Sequence, residues 1–375
     1  MAGDDKSMIG RRGALALGGA LGGAAGLAAL GLPSVADAAG MPAGLVAKAK
    51  KEGRLNVIAL PPDWANYGAI ITAFKKQYGL SVTSANPDGS SAQELQTLRT
   101  LRGQSRAPDC VDVGPSFAVE GAKAGLFAPY KVATWNDIPA DMKDASGLWV
   151  GDYFGVISVA ANRSVVKTMP QSWADLKKPE YKGMVSLNGD PMGAAAAFSA
   201  VYAASLANGG SLDDIAPGVH YFAELAKLGN FNPAQARPAS VIGGQTPITL
   251  DWDYLSLSDR KKGRGKAEIT VAIPQGGPAY GGYYCQAISA HAPNPSAARL
   301  WQEFLYSDQG QIMFLEGYAH PARFNALVAA NKIPTALMQE LPSPEAYRDI
   351  KFASLDQQAK AKTVLADLWP KLVKT

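Results

Sequence analysis

The chain has 375 residues, 47% of them hydrophobic and 18% charged, with a net charge of +4. So weak a basic excess does not demand nucleic acid or a membrane surface, both of which need charge gathered on one face. Two cysteines, Cys110 and Cys285, exclude a disulfide scaffold, and burial as two free apolar thiols is favoured over a bridge.

The first element is an export address. Arg11 and Arg12 precede an uncharged stretch over residues 13–32, and Ala36-Asp37-Ala38 reads as a small-x-small cleavage site. The pattern resembles a twin-arginine signal, although Gly10 and Ala14 depart from it and only Leu15 fits; an ordinary secretory signal is the alternative. Either route leads to the periplasm, with the signal (residues 1–38) cleaved near Ala38. The mature chain beyond it is too long for one core and has no run of eighteen apolar residues to span a bilayer.

Beyond the signal, strands and helices alternate. Residues 55–60 read as a strand and 65–78 as a helix with Ile70, Ile71, Phe74 and Tyr78 on one side. Residues 80–83 form a second strand, and Ser91 with Glu94 is spaced as a capping box opening a second helix. Cys110 to Val113 is a third strand, ended by Gly114-Pro115 and followed by a helix through Ala124. Such a βαβαβ series predicts a parallel sheet with helices on both faces and ligands at the carboxyl ends of its strands. Residues 153–160 make a longer strand, after which the pattern restarts: strand 185–187, an Ala-rich helix over 193–208, a helix over 221–228, and strands 248–250 and 267–273. The Gly/Pro-rich passage 274–282 reads as a return crossing between lobes. It is followed by strand 283–289, an amphipathic helix 295–306 and a last helix over 359–369.

Four segments in order then carry a family resemblance. They are Pro170-Gln171-Ser172-Trp173-Ala174-Asp175-Leu176, Pro179-Glu180-Tyr181-Lys182-Gly183, Val271-Ala272-Ile273-Pro274, and the stretch from Ala297-Ala298-Arg299-Leu300-Trp301 to Asp308-Gln309-Gly310-Gln311. Together they resemble the landmarks of extracellular solute-binding proteins of ABC importers, in the branch that includes polyamine, ferric-iron, thiamine and phosphonate binders. The resemblance implies an α/β, two-lobed type II periplasmic binding fold, each lobe a mainly parallel sheet flanked by helices, joined by two hinge crossings that close around ligand. Lobe 1 is expected at residues 39–155 plus 281–325 and lobe 2 at 156–280, with the helices of 326–375 packed on them. The implied partners are a small-molecule solute and the permease subunits of the inner membrane. The protein is expected to be a monomer, with no cofactor, no metal and no nucleic acid.

Candidate ligand contacts come from the loops that end the strands. Trp64 and Tyr67, three residues apart after the first strand, can form a stacking platform, or pack under their loop. Asp88 and Ser90 after the second strand, and Ser116 after the third, offer polar contacts or simple helix caps. Asp190 precedes the Ala-rich helix. Asp251-Trp252-Asp253-Tyr254 follows a strand, in a stretch over 251–257 that reads as a loop and helix start; if its backbone stayed extended, both carboxylates would face one way and the indole the other. Trp64 and Trp252 are expected in one site from opposite lobes, with Tyr153, Tyr280 and Tyr283 at the crossings, and no arginine stands in these loops.

Aromatic rings with carboxylates suit an organic cation, most simply a polyamine. Thiamine would satisfy the same site. A phosphonate would use free amides at helix starts, and ferric iron would want paired tyrosinates, which Tyr283-Tyr284 cannot supply because successive strand residues face apart. A secreted α/β enzyme on the same fold is the reading from another class, but no nucleophile–base pair is legible, and no enzymatic activity is expected. The basic run from Arg260 to Lys266 lacks aromatics and reads as a solvated turn.

Overall fold

The computed structural model describes residues 41–341 and 350–374; the expected export signal lies outside them. Helix α1 (Leu45–Glu52) leads into β1 (Arg54–Ile58), α2 (Tyr67–Tyr78), β2 (Ser81–Ala85), α3 (Ser91–Thr100), β3 (Cys110–Val113), α4 (Pro115–Lys123) and the short β4 (Phe127–Ala128). Strands β2, β1 and β3 run parallel, and β3 is buried at all four positions because helices cover both faces. Helix α2 ends where Gly79 takes a left-handed conformation (φ 71°) and its N–H returns to the Lys75 carbonyl. Pro115 opens α4 at a position where a missing N–H costs nothing. The capping box of α3 is formed by Ser90 and Gln93 rather than by Ser91 and Glu94. Ser91 instead receives the Gly114 N–H, and Glu94 that of Asp112.

Strand β5 (Val150–Asn162) joins the two lobes. Through Val156 it pairs with β9 (Tyr280–Ser289) of the first sheet; from Ile157 it pairs with β7 (Ile248–Trp252) and β8 (Ile269–Ala272) of the second. The second lobe also contains β6 (Val185–Leu187), parallel to β7, and helices α5 (Ala195–Ala207), α6 (Ala216–Leu228), α7 (Pro238–Ile242) and α8 (Asp253–Gly263). Among the described residues the strands form one continuous path, β2-β1-β3-β9-β5-β7-β6. Helix α5 is buried along most of its length, and α6 approaches it so closely that a Cβ on Gly218 would stand 2.1 Å from the Val201 carbonyl oxygen.

The chain closes with α9 (Pro295–Leu305), α10 (Asp308–Glu316), β10 (His320–Pro321), α11 (Phe324–Ala329), α12 (Thr335–Glu340), β11 (Lys351–Phe352) and α13 (Leu355–Leu372). Trp301 on α9 is fully buried, stacked near Tyr67 and set edge-on to Phe74 of α2. Helix α13 spans both lobes: Lys362 lies over the Phe117 ring of α4, and Trp369 packs on Phe222 of α6. Cys110 and Cys285 are buried free thiols. No helix among the described residues is long and apolar enough to cross a membrane.

Candidate functional site

A cleft of about 300 Å³ lies between the lobes. Its walls are the carboxyl ends of β1, β2 and β3 on one side and of β6 and β7 on the other, with the first turns of α3 and α5 and one side of α8, the place where open α/β sheets hold ligands. The loop after β1 carries three non-glycine residues at positive φ, Ala59, Ala65 and Asn66. That turn projects Trp64 into the cleft. Its Nε1–H donates to the Tyr153 hydroxyl at 2.6 Å, and its ring stands edge-on to Tyr284 and Tyr254.

Seven carboxylates line the cleft, Asp63, Asp88, Glu94, Asp112, Asp190, Asp251 and Asp259, against two basic side chains, Arg237 and Lys262. Both basic groups are already committed to the other lobe, Arg237 to Asp88 and Lys262 to Asp63 at 2.8 Å. These two ion pairs span the cleft on half-exposed side chains. Deeper in, no lysine or arginine among the described residues forms an ion pair with Asp112, Glu94 or Asp251. Asp112 is 4% exposed; its Oδ2 accepts from the hydroxyls of Tyr67 and Tyr153, both at 2.9 Å, while its Oδ1 is buried without a hydrogen-bond partner. Glu94, 1% exposed, accepts the Asp112 N–H. From the second lobe, Asp251 accepts the Trp252 N–H and an Asn188 Nδ2–H.

Burial raises the four deep carboxylates Glu94, Asp112, Asp251 and Asp259. Loss of solvent pushes Asp251 up to about 8, against the stabilising hydrogen bonds from Trp252 and Asn188. Burial likewise takes Asp259 to about 7, only partly offset by Lys262. Asp112 and Glu94 rise for the same reason, Glu94 further through the charge of Asp112. Asp112, Glu94 and Asp251 form no ion pair with a lysine or arginine among the described residues, and a cation entering the cleft would supply a positive partner.

Of the contacts expected from sequence, Trp64, Asp88, Ser90, Asp190 and Asp251 line the cleft. Within that set, Asp88 is taken by Arg237 and the Ser90 hydroxyl caps α3. The other seven do not reach it. Tyr67 and Tyr153 lie fully buried beneath Asp112, and half-buried Ser116 is in the first turn of α4. Trp252 is behind Tyr284, with its indole against Gly282, where a Cβ would come within 2.4 Å. The backbone does not stay extended through 251–253: β7 runs two residues further than read, to Trp252, and α8 begins at Asp253, within the stretch read as a helix start. The Asp253 carboxylate accepts the N–H groups of Val156 and Tyr254, tying α8 to the crossing strand. Tyr280 stacks on Tyr202, and the Tyr283 hydroxyl bonds to the Asp141 carbonyl.

Sequence reasoning missed Asp112, Glu94, Tyr284, Asp259, Lys262 and Arg237. A signal for Asp112 was present: an aspartate inside a four-residue apolar strand is a buried charge needing a partner. Tyr284 could have been chosen over Tyr283 by the same alternation that separates the pair. Arg237 lines the cleft from a segment outside the candidate loops. The basic run is in part the last turn of α8, where cations favour the negative helix end, and it turns Lys262 toward the cleft instead of leaving the whole run to solvent.

A two-lobed α/β clamp with an acidic, aromatic cleft and its sheets bridged by one long strand is the architecture of a binding protein. The chain belongs to the family of bacterial extracellular solute-binding proteins, whose sequence profile matches residues 107–357. Solved structures with the same type II periplasmic binding fold include MotA of A. tumefaciens B6 in complex with glucopine, at TM-score 0.69 and 16% identity over 86% of this chain and 100% of that one. AfuA of Actinobacillus pleuropneumoniae with fructose-6-phosphate aligns at 0.67 and 16% over 85% and 99%. Iron-bound HitA of Pseudomonas aeruginosa aligns at 0.62 and 18% over 84% and 99%. No curated protein matches the chain.

Proposed function

We propose that this protein captures a small organic cation, an amine of the polyamine kind, in the periplasm and delivers it to the permease of an ABC importer. The lobes would be residues 39–155 with 281–325 and residues 156–280, the export signal residues 1–38, and the acting form a monomer without cofactor. The carrying observation is Asp112 Oδ1, a buried carboxylate oxygen in the cleft wall with no donor of its own, facing a cleft to which the other lobe contributes Asp251. Trp64 and Tyr284 add ring faces or edges beside it, where an ammonium or its methylene stem can pack. The solutes of the structural neighbours are of several chemistries, so the reading rests on this chain's own charges.

The test is a thermal-shift screen of the mature chain. Putrescine, spermidine and thiamine are expected to raise the melting temperature, while a phosphonate and fructose 6-phosphate leave it unchanged. A ligand at a hundred times its dissociation constant adds about 2.7 kcal/mol. Stabilisation by the anions instead would overturn the reading and assign Arg237 and the amides opening α3 to the ligand.

The rim pairs should matter far less than the floor. Exposed ion pairs are worth about 0–1 kcal/mol, so Arg237→Ala and Asp63→Ala are expected to change amine affinity by less than about fivefold, shrinking further in high salt. Calorimetric titration at two ionic strengths measures this; a hundredfold loss would mean that the rim, not the floor, binds.

A further inference from the structure

Beneath the cleft the hydroxyl of Tyr67 occupies an unusual position. It lies 2.9 Å from Asp112 Oδ2 and 3.0 Å from Asp152 Oδ2, and it accepts a hydrogen bond from Gln286 Nε2 at 2.9 Å. A phenol has one proton to give. It can donate to one carboxylate only, and the second carboxylate oxygen would then face a bare lone pair at hydrogen-bond distance unless it carries a proton itself. The remaining contacts do not supply one. Asp152 is fully buried, with Oδ1 taking the Tyr153 N–H and Oδ2 a second Gln286 N–H, and the Tyr153 hydroxyl gives its single proton to Asp112 while accepting from Trp64.

We propose that Asp112 and Asp152, bridged by the Tyr67 hydroxyl, share one proton in addition to the phenol's own, so that the two aspartates together carry a single negative charge and present it to the cleft through Asp112. The groups packed around them agree with this count. Glu94 on α3, Tyr153 on β5, Tyr254 on α8, Tyr284 and Cys285 on β9 and Tyr306 after α9 all surround the pair. Glu94 is the only other carboxyl among them, and burial and the charge of Asp112 both raise it, so none of these neighbours is a cation that could hold both aspartates ionised. Among the described residues neither aspartate forms an ion pair with a lysine or arginine; their partners are hydroxyls, an amide and backbone. Burial raises both, and the charge of Asp112 raises Asp152 further. The consequence for recognition is a match to one ammonium group at this spot rather than to a doubly charged centre. That consequence rests on the organic-cation reading; the shared proton does not.

The measurement is a pH titration of the ligand-free full chain labelled with carboxyl-carbon-13 aspartate. At pH 7.5 the parent is expected to show a protonated aspartate carboxyl signal that persists in Asp251→Asn. In Asp152→Asn the remaining Asp112, and in Asp112→Asn the remaining Asp152, should each ionise roughly two pH units lower, removing that signal, because the neutral amide takes over the donor's part. A residue serving only as packing would leave its partner's titration in place. If one variant does not fold, the other carries the same test. Absence of a protonated signal in the parent, or its survival in either single variant, would overturn the proposal, whichever solute the thermal screen identifies.

Discussion

Asp112→Ala and Asp251→Ala are each expected to weaken amine capture by about two to three orders of magnitude. Each carboxylate is nearly withdrawn from water, at 4% and 6% exposure, so an ammonium held between them would be stripped of solvent and would depend on them for charge compensation. Truncating one member of such a buried charge pair costs about 2–5 kcal/mol, much of it the penalty for the charge left behind, and each 1.4 kcal/mol is about tenfold in affinity. The same burial makes binding pH-dependent. The cation prefers ionised partners, and Asp251 and Asp259 reach that state only near pH 8 and pH 7. Amine affinity should therefore climb between about pH 6 and pH 8.5 in calorimetric titrations. The stability of the empty protein should move the other way. Groups whose folded pKa lies above the unfolded value of about 3.9 contribute stability that is fully present below pH 4 and is lost as pH rises through 7 to 8. An affinity that fell over this pH range would show that the carboxylates do not bind the solute.

Trp301→Ala should destabilise the protein by about 3–5 kcal/mol, the usual cost of emptying the site of a fully buried tryptophan. Its ring is central to the first lobe, with the Tyr67 centroid at 6.5 Å, Phe74 at 5.1 Å and Phe304 at 6.4 Å. Each of those side chains is itself buried, so none can swing in to fill the space. Urea unfolding of parent and variant provides the number. A loss below 1 kcal/mol would mean that the aromatic cluster relaxes around the gap. Because Tyr67 both packs near Trp301 and bonds to Asp112, the cavity should also loosen the cleft floor, visible as weaker amine binding in the folded variant.

Much of the architecture is legible in the chain because it is local. The apolar runs of β1, β3 and β6, the 3.6-residue spacing in α2 and α9, and the Pro and Gly punctuation around α4 depend on neighbours a few residues away, and these elements stand within a few residues of where periodicity places them. Capping was less secure, since Ser90 and Ser91 are equally good hydroxyls and only the entry angle of the chain chose the first. The short β10 and β11, with two residues each, have no periodicity to read.

The family and the clamp were written in four sequence segments and in the loops that end the strands, because strand ends are where such sheets must bind. Which loop residues face the cleft was another matter. Trp64 and Trp252 look alike in sequence, yet the positive-φ turn after β1 exposes the first to the cleft, and the helix starting at Asp253 buries the second behind Tyr284. Asp112 and Asp152 sit on strands that pair only through β9, so their approach across the Tyr67 hydroxyl exists only once the sheet is assembled. Sequence alone determined that aspartates and rings would gather at the strand ends. The side-chain directions set where β7 gives way to α8, and the burial that strips those aspartates of water, were decided by the tertiary structure, because both depend on contacts between segments tens to hundreds of residues apart.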